Sequence, residues 1–353
     1  MLKKPSAPPA EHVRRERYPG RNPRTFSQKY KELHPEQHPE LVAHVMASGK
    51  TPAGMHVPIM MTEVLEFARP RPGDVILDCT LGGGGHAEAL LTRALPGGRL
   101  VGIDHDPFEL PRTEARLRSA GLGPEIFTAY RGTFAGLPQA LAAAGLTQAD
   151  IVLADLGVSS MQLDNPTRGF SYKGVGPLDM RMNPERGQTA AELLDRVTET
   201  ELAALLEQNA DEPHATIIAG LLKRKPLTTT QAAERVVRIG LSDALPTLSK
   251  ADVKLSLRRT FQALRISVND EFAALDALLR ALPYCLAPGG RAVMLTFHSG
   301  EDRRVKQAFR AGQREGTFSE VAREIVRPSL EETRANRRAS SAKLRWAVRS
   351  TDG

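Results

Sequence analysis

Four short apolar segments alternate with helix-like stretches at regular intervals between residues 75 and 155. Each has four to six residues and is rich in aliphatic or aromatic side chains, as is typical of a buried strand. The segments are residues 75–78, 99–104, 125–129 and 151–155. Such alternation builds a parallel sheet with helices on both faces. Right-handed crossovers then place the carboxyl ends of the strands, and with them the ligand, at one edge. The sequence therefore predicts an α/β, Rossmann-like fold.

A long interruption separates the fourth segment from the fifth, which covers residues 291–297. A single crossover between parallel strands needs far fewer residues than this gap contains. Helical spacing of apolar residues fills much of the interval, at residues 190–209, 215–223 and 230–239. We therefore predict an inserted all-helical domain at residues 163–255, with the Rossmann-like domain formed by residues 51–162 and 256–353.

Residues 1–50 differ in composition from the rest of the chain. They hold seven of the 25 prolines and ten Lys or Arg against five Asp or Glu, without a sustained helical or strand period. This pattern predicts a flexible basic arm. An alternative is an arm that grips RNA phosphates. The whole chain carries a net charge of +7, which points in the same direction, toward a polyanionic partner such as RNA.

Composition also excludes several classes of protein. No apolar run approaches the roughly 18 residues that span a bilayer, and the basic first residues lack the apolar segment of a secretory signal. The two cysteines, Cys79 and Cys285, are too few for a disulfide scaffold or a cysteine-built zinc site. We expect a cytoplasmic protein without a membrane or metal partner.

A glycine-rich loop follows the first predicted strand. Asp78 ends that strand, Gly82 to Gly85 form the loop, and Asp104 ends the second strand 22 residues after Gly82. Glycines let the backbone approach a ligand closely, and an acid at the second strand's tip can accept both hydroxyls of a ribose. Dinucleotides and S-adenosylmethionine share this arrangement. The acid at position 78 disfavours a pyrophosphate and suits a cationic amino acid, which favours S-adenosylmethionine and leaves an NAD-dependent oxidoreductase as the alternative.

Asp155 ends the fourth predicted strand and leads into the segment 156–164. Methylation of an exocyclic amine needs an acceptor for the amine hydrogens, and Asp155 is the best-placed carboxylate. The alternative is a structural Asp bonded to backbone amides. His298, which follows the fifth strand, could contact the substrate or shuttle a proton. A structural role is the alternative for this histidine too.

Aromatic and basic residues lie close together in the segments 167–172 and 177–182. Arg168 and Phe170 could hold a phosphate and stack on a base. The alternative is a loop whose aromatic rings pack between the helical insertion and the sheet domain and hold them together. Residues 301–353 are also basic, with 13 Lys or Arg against eight Asp or Glu, which favours RNA.

Together these motifs resemble those of the bacterial ribosomal RNA small subunit methyltransferase H family, also called MraW. The most specific are the segment that begins at Asp155 and the run Gly-Pro-Leu-Asp-Met-Arg at residues 176–181. The other matching segments are residues 56–64, 83–86, 103–107, 168–172, 259–269, 297–303 and 336–345. The arm at residues 1–50 has no counterpart that we can place in the family.

The resemblance implies a class I S-adenosylmethionine-dependent methyltransferase that N4-methylates one cytidine in the decoding centre of 16S rRNA, in the small ribosomal subunit. Its cofactor-binding residues, carried over by position, would be Gly84, Gly85, His86, Asp104, Phe134, Asp155 and Gln162. Asp155 would also be the catalytic residue, and Arg168, Phe170 and His298 would contact the RNA. The chain lacks the Asp/Ser-Pro-Pro-Tyr/Phe motif of many exocyclic-amine methylases. The sequence leaves the oligomeric state open, a homodimer included. A non-catalytic RNA-binding factor with the same fold is a further alternative.

Overall fold

A seven-stranded sheet forms the centre of the computed structural model, which describes residues 58–351. Its strand order is β3-β2-β1-β4-β5-β7-β6, with β1 to β5 parallel and β7 antiparallel to both neighbours. The strands are β1 (Val75–Asp78), β2 (Arg99–Asp104), β3 (Phe127–Arg131), β4 (Ala149–Asp155), β5 (Leu286–Thr296), β6 (Phe318–Val321) and β7 (Lys343–Arg349). The predicted class I methyltransferase fold is confirmed.

Thirteen α-helices accompany the sheet within residues 58–351. Those before the long interruption are α1 (Met61–Ala68), α2 (Gly85–Ala94), α3 (Glu109–Ser119), α4 (Leu137–Ala143) and α5 (Ser160–Asp164). The helices within it are α6 (Ala190–Arg196), α7 (Glu199–Ala210), α8 (Ala215–Lys223), α9 (Thr230–Ala244) and α10 (Lys250–Val268). The remaining ones are α11 (Glu271–Cys285), α12 (Ser299–Arg314) and α13 (Leu330–Ala335). In this part of the chain, no helix is both long and apolar enough to cross a membrane.

Two apolar cores cover the two faces of the sheet. Successive residues of β1 point to opposite faces, so that Leu77 packs in the core with Leu278 of α11, and Ile76 in the core with Leu90 of α2. A third core, made of residues from 170 to 264, joins α6 to α10. Helices on both faces shield the parallel strands from water, as this kind of sheet requires.

The predicted element boundaries differ from the observed ones in two places. The third strand begins at Phe127 rather than residue 125, because Ile126 and Phe127 donate backbone hydrogen bonds to the Gly123 carbonyl in a turn. The sequence also predicts one long helix at about residues 260–282, but the structure divides this stretch between α10 and α11. Asp270 has a left-handed φ of 49°, which interrupts the helix.

The helical region agrees with an insertion between β4 and β5, although α10 runs across residue 256, where we placed the boundary. The predicted division at residues 163–255 stays a prediction. The arm at residues 1–50 lies outside the described residues.

Candidate active site

Three carboxylates meet at the carboxyl edge of the sheet. Asp78, Asp104 and Asp155 end β1, β2 and β4, which are neighbours in the order β2-β1-β4. In the register of β1 with its neighbours, Asp78 pairs with Gly102 on one side and Leu153 on the other. The other two acids therefore reach two residues beyond Asp78. This edge is the place where open α/β sheets bind their ligands.

Asp104 lies at the carboxyl edge of the sheet and also holds the glycine loop by a hydrogen bond. Its Oδ2 accepts a hydrogen bond of 2.7 Å from the Gly82 amide, and its Oδ1 accepts one of 2.8 Å from the Asp106 amide. Burial raises the pKa of Asp104. Each carboxylate oxygen can accept more than one hydrogen bond, so Asp104 retains acceptor capacity for a ribose.

The glycine loop is also held from the side of α3. Thr113 donates to the Gly82 carbonyl, and Arg116 donates to the Gly83 carbonyl at 2.8 Å. Gly84, which caps α2, has a φ of 75°, a conformation that favours glycine. A Cβ on Gly84 would lie 3.0 Å from both Arg116 Nη2 and Thr113 Cγ2. The local packing therefore requires glycine at this position, and Gly85 begins α2 immediately after it.

His86, in the first turn of α2, connects three parts of the edge. Its Nε2 is 3.0 Å from the Ile59 carbonyl oxygen, and its Nδ1 is 3.7 Å from Asp155 Oδ2. The ring is buried, with 6% of the residue exposed. His86 thus orients Asp155 and joins the segment before α1 to the strand ends.

The backbone of Asp155 is held by a hydrogen bond, whereas one oxygen of its side chain lacks a hydrogen-bond partner within residues 58–351. Its amide donates to Thr80 Oγ1 at 2.7 Å, whereas its buried Oδ1 has no hydrogen-bond partner among the described residues. Burial raises the pKa of Asp155 to about 8, and negative charge on Asp78 and Glu301 adds to the increase. Burial likewise raises the pKa of Asp78 to about 7. A carboxyl with an unpartnered buried oxygen suits a hydrogen-bond donor or a cation.

These features fit S-adenosylmethionine by charge. A cationic sulfonium and ammonium would offset carboxylates that disfavour ionisation on their own. Gly84, Gly85 and Asp104 provide the close backbone approach and the ribose acceptor. These residues lie at one edge, as predicted, but their cofactor contacts stay predictions.

Asp106 connects the β2 end to the loop after β4. Its Oδ2 accepts hydrogen bonds from Gln162 Nε2 at 2.8 Å and Arg168 Nη1 at 2.9 Å, while its Oδ1 accepts from the Phe108 amide at 2.9 Å. Only 1% of the residue is exposed. Burial alone would raise the pKa of Asp106, but these hydrogen bonds hold it below its ordinary value. We assigned no role to this residue from the sequence, although it lies only two positions after Asp104.

The remaining predicted cofactor residues also lie near the strand ends. Phe134 begins a 3₁₀ turn after β3 and packs, half-buried, against the core beneath the sheet. Gln162 belongs to α5, where its side chain and that of Ser159 form a reciprocal capping box. Its amide thus holds Asp106 with one end and the α5 cap with the other.

The two residues of the predicted RNA-binding loop have partners within the protein. Arg168 donates to Asp106 and to the carbonyls of Arg181 and Met182, at 3.2 and 2.7 Å, and its side chain is 13% exposed. Phe170 is buried in the third core. These contacts favour the alternative in which the loop fastens the helical insertion onto the sheet domain. Contact of Arg168 and Phe170 with RNA stays a prediction.

His298 lies in an ion-paired network after β5. It caps α12, with its Nε2 3.0 Å from Glu301 Oε1. Glu271, next to this pair, forms two hydrogen bonds with Arg265, at 2.7 and 2.8 Å. Burial opposes ionisation of Glu301, but His298, Arg265 and the Phe297 amide keep its pKa below the ordinary value.

Potential ligand atoms of Glu271, His298 and Glu301 lie within 4.8 Å of one another, close enough to hold a metal ion. The hydrogen bonds between Glu271 and Arg265 and the 3.0 Å contact between His298 and Glu301 already account for this arrangement. His298 lies at the edge that carries Asp155, because β4 and β5 pair in parallel. Its predicted contact with substrate stays a prediction.

Comparisons with known proteins identify the family of this chain. The model of the MraW methylase family matches residues 53–350. Ribosomal RNA small subunit methyltransferase H 2 of Alkaliphilus metalliredigens is 47% identical over 342 residues, covering 96% of this chain and 97% of the relative. Ribosomal RNA small subunit methyltransferase H 1 of Lachnoclostridium phytofermentans is 45% identical over 344 residues, covering 96% and 93%.

The match to these two relatives covers 96% of the chain and therefore extends into the segment 1–50, whereas the family model begins at residue 53.

A solved rRNA methylase from Streptococcus thermophilus gives a weaker likeness. It has a TM-score of 0.39 and 9% identity, covering 84% of this chain and 99% of that one. The fold assignment therefore depends on the strand order and not on this likeness.

Proposed function

The chain belongs to the MraW methylase family, and we propose that it methylates N4 of one cytidine in the decoding centre of 16S rRNA. It is an S-adenosylmethionine-dependent methyltransferase that acts on ribosomal RNA, as family membership and its relatives indicate. The finer assignment, to one base and one nitrogen, is our proposal. The small ribosomal subunit would be its partner in the cytoplasm.

The observation that carries the proposal is the unpartnered Oδ1 of Asp155 at the ligand edge. An exocyclic amine is a weak nucleophile because its lone pair is delocalised into the base. An acceptor that holds the amine hydrogens lets the nitrogen become pyramidal and directs its lone pair. Asp155 has this acceptor, next to the glycine loop and Asp104. S-adenosylmethionine, when bound, supplies a methyl group activated by a positive sulfur.

Asp155 is also placed to accept the proton that the amine loses. When the nitrogen gains a methyl group, it becomes positively charged and loses one of its hydrogens as a proton. With a pKa of about 8, Asp155 is largely protonated at neutral pH in the free protein, and the positive sulfur of a bound donor would favour its ionised form. That carboxylate can accept the proton, since an efficient base has a pKa near the working pH. His86, 3.7 Å from Asp155 Oδ2, keeps the carboxylate oriented.

The direct test is methyl transfer to a 16S rRNA transcript and to purified small subunits, with the product nucleoside identified by mass spectrometry. We expect N4-methylcytidine at one position in the decoding region. Asp155→Asn should lower the turnover number about 10²-fold at saturating donor and RNA. Asp243→Asn, on the exposed face of α9, is the matched control and should leave turnover unchanged.

Donor affinity must be measured in parallel, because Asp155 is also a predicted cofactor contact. Turnover of Asp155→Asn within about threefold of the wild type would refute the catalytic role. A methylated product other than N4-methylcytidine, or no product on 16S rRNA, would refute the proposed reaction. Mass mapping of the decoding region in cells with and without the gene tests the same claim in vivo.

A further inference from the structure

One face of α12 presents a row of cations to solvent. The residues Arg303, Lys306, Arg310 and Arg314 line an open groove along this helix, together with Gln307. They recur every three or four positions and therefore share one helical face. At 1.5 Å per residue, the row is about 16 Å long. We call these four residues the α12 basic stripe.

The stripe's charge is largely uncompensated. Among the described residues, Lys306, Arg310 and Arg314 have no ion-pair partner, and Arg303 forms one exposed pair with Asp211 at 2.9 Å. The stripe's neighbour Asp302 is already engaged by a residue of β7. The opposite face of α12 packs in the core through Val305 and Phe309, so packing fixes the direction in which the stripe points.

The position of α12 connects the stripe to the candidate active site. Helix α12 begins three residues after β5 ends, at the edge where Asp155 ends the neighbouring strand. It then runs back along the sheet toward the opposite edge. The stripe therefore begins near the site and leads away from it along α12, so that an RNA strand extending from a base at Asp155 can reach it.

We propose that the α12 basic stripe binds phosphates of the RNA strand that flanks the target nucleotide. This inference rests on the proposed function and adds the surface that positions the substrate. The row's length spans several phosphates of a single strand, since neighbouring phosphates on one strand of a duplex are about 3.4 Å apart along the axis. The stripe contains no aromatic residue, so it provides affinity without reading the sequence.

The test compares two double variants that each remove two positive charges. Lys306→Gln with Arg310→Gln alters the stripe. Arg71→Gln with Arg93→Gln is the control, because both arginines are exposed at the opposite edge, before β1 and in the last turn of α2. Binding to a 16S rRNA transcript is measured from 0.05 to 0.3 M salt, and KM and kcat are measured for methyl transfer.

For the stripe variant, we expect the slope of log affinity against log salt to become shallower by about 1.4 to 1.8. Affinity at 0.15 M salt should fall roughly tenfold. KM for RNA should rise in proportion, whereas kcat at saturating RNA and donor affinity should stay as in the wild type. The control variant should resemble the wild type in all of these quantities.

A stripe variant that binds the transcript as tightly as the control does would overturn the inference. Weakened binding to assembled subunits, with unchanged binding to the free transcript, would also overturn it and would indicate an acidic protein partner. In either case the wild-type protein would still methylate ribosomal RNA, so the proposed function would stand. A wild-type protein that methylates no ribosomal RNA would instead overturn the proposed function, and this inference with it.

Discussion

Replacing Asp106 by Asn tests whether this buried carboxylate holds the cofactor edge together. The substitution preserves size but removes the charge that Arg168 and Gln162 share. Breaking a buried ion pair costs about 3–5 kcal/mol, because the remaining charge is left uncompensated. Arg168 keeps two carbonyl partners, so we expect the lower end of that range, about 3 kcal/mol of unfolding free energy.

Thermal unfolding and donor calorimetry measure the two consequences. A loss of about 3 kcal/mol corresponds to a fall in Tm of roughly 6 °C or more in a domain of this size. Donor affinity should fall as well, since the loop that carries Gln162 loses its anchor to β2. Glu114→Gln is the matched control, because its pair with Arg118 joins residues one helical turn apart on α3, is half-exposed and should contribute less than about 1 kcal/mol.

The pH dependence gives a second readout for Asp106. Its pKa in the folded protein lies below the ordinary value, so its contribution is fully present above about pH 4, the value for an unfolded Asp. It is lost as the pH falls through the lower, folded-state pKa. The wild type should therefore lose more stability than Asp106→Asn on acidification. An unchanged Tm and donor affinity in Asp106→Asn would refute the reasoning.

Three further predictions concern the cofactor edge. Asp104→Ala should weaken donor binding at least tenfold in calorimetry, because it removes the ribose acceptor and the bond to the Gly82 amide; unchanged affinity would count against the cofactor assignment. Donor affinity should rise with pH up to about 8, since a cation binds the ionised form of Asp155, and this rise should be smaller in Asp155→Asn, where the contribution of Asp78, with a pKa of about 7, remains. Gly84→Ala should weaken donor binding in the same assay. Gly83→Ala should have a smaller effect, because a Cβ at this position would meet no atom within 4 Å. Equal losses of affinity would show that the backbone conformation and packing of Gly84 do not matter.

The sequence predicted the elements whose pattern is local. Strands β1, β2 and β4 are continuous apolar runs because helices cover them on both faces, and their terminal acids could be located from the strand ends alone. Strand β7 was missed for the opposite reason. Its basic residues suggested a surface that faces RNA, yet Arg345 is 5% exposed and donates to Asp302 at 2.7 Å. A buried charge looks like a surface charge in sequence until its partner is known.

The contacts of Arg168 show the same limit within the site. Its neighbours in sequence, two aromatic residues and a second arginine, suggested a surface for RNA. In the fold it spans from Asp106, which lies 62 positions earlier in the sequence, to the carbonyls of Arg181 and Met182. Asn269 fastens the same segment from the break between α10 and α11, where it accepts from the Met182 amide at 2.7 Å. Tertiary partners decide the role of such residues, and periodicity does not report them.

The strand order explains why donor and acceptor chemistry would meet at Asp155. The order reverses at β1: β2 and β3 extend to one side, and β4 and β5 to the other. The glycine loop and Asp104 belong to the first side, which has the features of a nucleoside site. His298 and the α12 basic stripe belong to the second side, which we propose contacts RNA. Asp155 lies on the strand next to β1, between the two sets. A base amine that approaches from the second side would therefore meet the methyl group at this carboxylate, and moving the acid to β5 would separate it from the donor by a full strand spacing of about 4.8 Å.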